Sequence, residues 1–161
     1  MSSYMKYVFD TNTLNSIFKF YYQDTFRGFW QNFNSMVKSG EIVSVKEVRR
    51  ELSRWESWTN VKAWASNYQD FFANPTEDEL QFITRIYAVK HFQQNIEQRK
   101  LLKGEPVADA FVIARAAVND ATIVSEEKFR PNAAKIPNIC RYFKIDCIYL
   151  KEFLVKEGWH F

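Results

Sequence analysis

Tyr7-Val8-Phe9-Asp10-Thr11-Asn12 decides how the chain is read. Met5, Tyr7, Val8 and Phe9 give an almost continuous apolar run, the pattern of a short strand covered on both faces. Leu14, Ile17, Phe18, Tyr21 and Tyr22 then recur at helical spacing. Asp10 therefore stands where a strand gives way to a helix. In open α/β sheets that edge is where ligands bind. Capping is the competing role, since the side chain of Asp10 or Asn12 can accept a bond from a free backbone N–H.

Outward from that stretch, strand and helix patterns alternate. Phe26 to Val37 reads as a helix ended by Ser39-Gly40, and Ile42-Val43 as a second buried strand. Ser44 and Glu47 have the spacing of a capping box, opening a helix with Val48 and Leu52 on one face. Asn60 to Phe72 has Val61, Trp64, Ala65, Tyr68, Phe71 and Phe72 in helical register, and Asn74-Pro75 breaks it. Thr76 and Glu79 suggest a second capping box, at the head of a long helix ending near Lys103-Gly104. Pro106 suits the first position of the next helix, which is nearly all apolar from Val107 to Ala117 and hence buried. Ala121–Val124 is a third strand. Pro137 starts a short helix, Cys147-Ile148-Tyr149 is a fourth strand, and a last helix from Lys151 to Lys156 stops at Gly158. The alternation predicts an α/β fold with a mostly parallel sheet of four to five strands. Residues 1–161 are expected to form a single domain, with about 55–103 as a helical insert packed beside the sheet.

Composition narrows the function. At 161 residues the chain can bury a real core, and its aromatic content is high at 17%. A net charge of +3 leaves no global polycation, so phosphate contacts must come from local patches. No apolar run reaches the length of a membrane span, and cytoplasmic location is the default expectation. Cys140 and Cys147 make no metal framework and read as free thiols, and two isolated histidines argue against a histidine zinc site.

Carboxylates gather at four places. Asp10 is the first. The second is Glu51, freer than Glu47, which has a capping role to fill. The third is Asp109, on the most apolar helix, where a charge is costly unless paired or bound to a metal. Glu105, before Pro106, reads as a cap-region residue. The fourth is Glu126-Glu127 after the third strand, with Glu127 favoured by position. Four carboxylates near neighbouring strand ends would repel one another without a cation. Oxygen-only ligands point to a hard ion, Mg²⁺ or Mn²⁺, suited to phosphodiester hydrolysis. A covalent phosphatase would want Asp-x-Asp at the first strand end, and here Asp10 is followed two residues later by Asn12.

The ordered set of motifs resembles the PIN-domain ribonucleases, and most closely a bacterial PIN-like group related to toxin–antitoxin nucleases. The resemblance rests on Val8-Phe9-Asp10-Thr11-Asn12, on Val43-Ser44 leading to Glu51-Leu52, and on Asp109-Ala110-Phe111-Val112-Ile113-Ala114-Arg115-Ala116. It also rests on Ile123-Val124-Ser125-Glu126-Glu127-Lys128-Phe129 and on Ile136-Pro137-Asn138-Ile139-Cys140. It implies a three-layer α/β/α sandwich, Mg²⁺- or Mn²⁺-dependent endoribonuclease activity on RNA, a protein antitoxin and often a homodimer. It assigns metal binding to Asp10, Glu51 and Asp109, and support by hydrogen bonds to Asn12 and Ser125. Glu127 stands where the family usually carries Asp, and the segment before Phe129 is one residue short. A catalytically weak PIN-like RNA-binding or scaffold module is the alternative that this departure leaves open.

Basic and aromatic residues complete the expectation. Lys128 and Arg130 flank the acidic stretch and could hold phosphates. Trp64 and Tyr68 read as core. Trp55 and Trp58 lie outside that register near Arg49, Arg50 and Arg54, where they could meet RNA or an antitoxin segment, although packing is the commoner use of such rings.

Overall fold

The computed structural model describes residues 4–96 and 108–161. The strands are β1 (Tyr7–Phe9), β2 (Ile42–Val45), β3 (Phe72–Ala73), β4 (Thr122–Val124) and β5 (Cys147–Ile148). The helices are α1 (Thr11–Phe20), α2 (Arg27–Lys38), α3 (Lys46–Leu52), α4 (Trp58–Ala65), α5 (Glu77–Ala88), α6 (Asp109–Asn119), α7 (Ile136–Phe143) and α8 (Leu150–Lys156). The strands form one sheet in the order β3-β2-β1-β4-β5, and every pairing is parallel.

Side chains alternate across a strand, so Tyr7 and Phe9 point to one face and Val8 to the other. Phe9 meets Phe33 of α2 at 5.6 Å and Phe153 of α8 at 5.1 Å between ring centroids, and Tyr7 meets Phe153 at 4.7 Å. Each fully buried ring of this kind stabilises the fold by roughly 1.5–3 kcal/mol. The other face is covered by α6, which packs on β1, β2 and β4 and is in turn covered by α5. Ala110, Val112, Ile113, Ala114 and Ala116 of α6 are all buried, as its composition demands. The result is the expected three-layer α/β/α arrangement. No described helix is long and apolar enough to cross a membrane.

The chain runs from β1 outward to β2 and β3, then returns across the sheet to β4 and β5. Strand order thus reverses between β1 and β4, which opens a crevice at their carboxyl ends. Phe9 is in register with Val124, so the next residues, Asp10 and Ser125, stand side by side at that crevice.

Four local expectations are corrected. Helix α4 ends at Ala65, and Phe72–Ala73 is an edge strand on β2 rather than the last helical turn. Both conformations bury Phe71 and Phe72, so apolar spacing could not separate them. The Ser44–Glu47 capping box is absent. Ser44 lies inside β2 and donates to the Phe9 carbonyl at 2.7 Å, leaving Val45 at the cap. Thr76 does cap α5, accepting from the Glu79 amide at 3.2 Å. Glu79 does not complete that box, because its buried carboxylate pairs with Arg115 of α6 at 3.1 Å. The long helix stops at Ala88 and continues as a 3-10 turn over Lys90–Gln93. Lys103, Gly104, Glu105, Pro106 and Val107 lie outside the described residues.

Candidate metal centre

Asp10, Thr11, Asn12, Glu51, Trp55, Asp109 and Glu127 line one cavity of about 100 Å³ at the β1–β4 crevice. That volume holds several waters. The four expected carboxylates come from four separate stretches, and β1, α3, α6 and the segment after β4 bring them to this single place.

Asp10 occupies the N-cap position of α1 with extended backbone, yet its side chain makes no capping bond. It is 3% exposed and accepts from Ser125 Oγ at 2.9 Å. Burial, then the Asp109 and Glu127 carboxylates, push its pKa well above the usual carboxylate range. Asp109 opens α6 and is 2% exposed. Its Oδ2 accepts from Asn95 Nδ2 at 2.9 Å, and the same nitrogen reaches the Ala134 carbonyl at 2.9 Å. Tyr87 donates to Asn95 Oδ1 at 3.3 Å, which fixes the amide's orientation. Burial and Asp109 raise the Tyr87 pKa, so its hydroxyl stays protonated.

Glu51 bridges elements. Its Oε1 accepts from Thr11 Oγ1 of α1 at 2.6 Å and its Oε2 from the Ala108 amide, the cap of α6, at 3.2 Å. Glu127 lines the cavity, and its Oε2 accepts from the Ile136 amide at the start of α7 at 3.1 Å. Glu126 turns elsewhere, to the Leu150 amide at the start of α8 at 3.0 Å. Of the adjacent pair, Glu127 is therefore the one at the cavity.

Asn12 Oδ1 accepts from the Glu126 amide at 3.1 Å, and Ser125 Oγ from the Glu127 amide at 3.2 Å. These two side chains tie the segment after β4 to α1 and to Asp10. Lys128 and Arg130 are exposed and do not line the cavity. Arg49 and Arg50 are exposed on α3, also outside the cavity lining, and Arg49 stands over the Trp58 ring at 5.5 Å. Trp64 stacks on Tyr68 at 4.7 Å and is core, as its register suggested. Trp55 is half-buried at the cavity wall. Cys140 and Cys147 form no disulfide.

Two residues at the site carry no sequence signal of their own. Asn95 lies in a polar stretch with no motif, and Thr11, although inside the first motif, has no role there until the fold brings Glu51 to its hydroxyl.

The donor set, hard carboxylate oxygens backed by hydroxyl and amide groups, suits Mg²⁺ or Mn²⁺. Among the described residues no three His, Cys, Asp or Glu side chains form a ready-made cage. Glu51 and Glu127 each accept from a backbone amide, whereas Asp10 and Asp109 accept from the side chains of Ser125 and Asn95.

A family model described as a Domain of unknown function (DUF4411) matches residues 7–161. No curated protein matches the sequence. The fold is similar to that of a chain in VapBC2 from Rickettsia felis bound to a DNA fragment from their promoter. The TM-score is 0.50 at 12% identity, covering 90% of this chain and 98% of that one. It is also similar to a chain in DNA-bound VapBC from Salmonella typhimurium, with TM-score 0.51 at 15% identity and the same coverage. At such identities the likeness establishes the architecture, which is PIN-like. By the match across residues 7–161, the chain belongs to the DUF4411 family.

Proposed function

We propose that the chain is a Mg²⁺- or Mn²⁺-dependent endoribonuclease, working in the cytoplasm as the toxin of a toxin–antitoxin pair. The observation that carries this reading is the convergence of Asp10, Glu51, Asp109 and Glu127 on one small cavity at the strand-order reversal. Asp10 and Asp109 would hold the ion, and Glu51 and Glu127 would reach it through water. A bound ion of this kind lowers the pKa of water and neutralises phosphate charge. Ser125 and Asn95 keep the two aspartates in place, each bonding one carboxylate oxygen. The antitoxin partner is supported by fold likeness to chains solved as VapBC.

No histidine lines the cavity, so the chain offers no imidazole there to activate an RNA 2′-hydroxyl. Water attack should leave a 5′-phosphate and a 3′-hydroxyl. Titrating Mg²⁺ and Mn²⁺ against a structured RNA, with mass analysis of the ends, tests this. Cleavage should stop with EDTA and survive removal of the 2′-hydroxyl beside the scissile bond. A 2′,3′-cyclic phosphate made without metal would overturn it.

A second reading is a PIN-like module that binds RNA without cutting it. The employment of Glu51 and Glu127 by backbone amides favours it. Metal binding at Asp10 without cleavage of any RNA would select it, and Glu127→Asp would then be the first change to make.

A further inference from the structure

Cys140 of α7 and Cys147 of β5 come together, the Cys140 thiol donating to the Cys147 sulfur. Both line a cavity of about 320 Å³ whose walls also include Ser125, Glu127, Phe129 and Tyr149. Glu127 lines the acidic cavity as well, so the thiols and the carboxylates share a wall residue. We propose that Cys140 and Cys147 form a reversible thiol–disulfide pair, and that the bridged form holds the metal ion less tightly. The bridge itself needs no ion, whereas its control of the acidic cavity rests on the nuclease reading.

A short connection places the pair. Helix α7 ends in a tight turn, where the Ile145 amide donates to the Cys140 carbonyl at 2.8 Å and Lys144 takes a left-handed φ of 59°. The chain then enters β5, with Cys147 in register with Ile123 of β4. Cys140 is 1% exposed and Cys147 is half-buried. A buried cysteine ordinarily serves as a small apolar residue. Here a second sulfur meets it, on the wall of a cavity that admits a small oxidant. The bond to Cys147, and then burial, hold the Cys140 pKa well above its usual value, so Cys147 is the first to react. Hydrogen peroxide is the oxidant by class, and the step balances. The Cys147 sulfur attacks the peroxide, an S–O bond forms, the O–O bond breaks, and the departing hydroxide takes the thiol proton as water. The Cys140 sulfur then attacks the Cys147 sulfur. An S–S bond forms, the S–O bond breaks, and hydroxide leaves with the Cys140 proton as a second water. In a reducing compartment the pair rests as thiols.

Each cysteine is tied to the acidic cavity through a neighbour. Cys140 stands one turn after Ile136 on α7, and the Ile136 amide donates to Glu127 Oε2 at 3.1 Å. Cys147 precedes Ile148, whose carbonyl accepts from the Ser125 amide at 3.0 Å. Ser125 Oγ in turn donates to Asp10 at 2.9 Å. A bridge draws two sulfurs from contact to a bond of about 2.05 Å. Strand β5 has two residues and lies at the edge of the sheet, so little holds it against that pull. The displacement reaches Glu127 from one side and Ser125 from the other. Losing a group that orients a metal ligand typically costs about 10–100-fold in metal affinity, which sets the direction and the scale.

The test compares the whole chain after dithiothreitol and after hydrogen peroxide. Peptide mapping should find Cys140 linked to Cys147, with an intact mass lower by two hydrogens, and dithiothreitol should reverse both. Mn²⁺ is then titrated against each form with Tm as the readout. The oxidised chain should need about tenfold more Mn²⁺, or beyond, for the same shift. Cys147→Ser should respond to Mn²⁺ as the reduced chain does, before and after peroxide. Cys140→Ala should be equally indifferent to peroxide. Each variant is compared with itself, so a lower Tm from the core position of Cys140 does not mask the result. Absence of the link, whether oxygen is added at Cys147 or both thiols stay intact, overturns the proposal. A link that leaves the Mn²⁺ response unchanged, or a peroxide effect that survives in Cys147→Ser, overturns the control and leaves the nuclease reading standing. A reduced chain with no Mn²⁺ response sinks the nuclease reading and the control with it, whether or not the link forms.

Discussion

Glu47 is 3% exposed, and its Oε1 is buried with no hydrogen-bond partner among the described residues. Burial comes first among the causes that raise its pKa. The sign follows directly. The folded state holds this proton more tightly than the unfolded state, so stability falls as pH rises from the ordinary value of 4.5 through the raised one. Glu47→Gln removes the ionisation and should raise unfolding free energy at pH 8 by on the order of 1 kcal/mol, with little change at pH 4. Denaturant titrations at the two pH values would read this, and a loss of stability at pH 8 would refute it. The capping box suggested by sequence predicts that loss, since a damaged cap costs about 1 kcal/mol. Asn95 is the complementary case. It is buried and bonds Asp109, but nothing in Gln93-Gln94-Asn95 distinguishes it from an exposed polar run.

Helix α3 has only seven residues, yet it joins the sheet to the site. Glu51 ties it to α1 through Thr11 and to α6 through the Ala108 amide. Hydrogen bonds to a charged group contribute roughly 1.5–3 kcal/mol. Glu51→Ala should therefore cost about that much in a denaturant melt, whereas Glu51→Gln, which keeps an acceptor, should cost less than about 1 kcal/mol. Equal, negligible costs would mean that Glu51 does not hold these elements together. At this scale the sequence specifies the element wherever one pattern allows one structure. The apolar run at Tyr7–Phe9 and the continuous apolar helix over α6 left no competing choice. It failed where two structures satisfy the same burial, as at Phe71–Phe72, and where a polar residue had two possible partners. Ser44 chose the Phe9 carbonyl over a helix amide, and Glu79 chose Arg115 over its own cap. Such choices depend on what tertiary contact brings near, which spacing along the chain does not encode.

At the scale of the whole molecule, parallel pairing explains why distant carboxylates meet. Every paired strand points the same way, so the residues that follow them gather at one edge, and the order reversal between β1 and β4 opens a space there. Asp10 enters that space beside Asp109 and Glu127, which disfavour its ionisation. An ion binding the folded state alone stabilises by about 2.7 kcal/mol at a hundredfold excess over Kd. In a chain of this size that is roughly 5–10 °C in Tm. Saturating Mg²⁺ or Mn²⁺ should therefore raise Tm by about that amount. Asp10→Asn should melt slightly higher than the unaltered chain without metal, because a buried repelling charge is gone, and should show no shift when metal is added. The two arms separate the roles. If Asp10 serves only the structure, through its bond from Ser125, the substitution lowers Tm without metal and any metal-induced shift persists. If it serves an ion, the substitution raises the first and removes the second, and a melting series with and without EDTA reads both in one experiment.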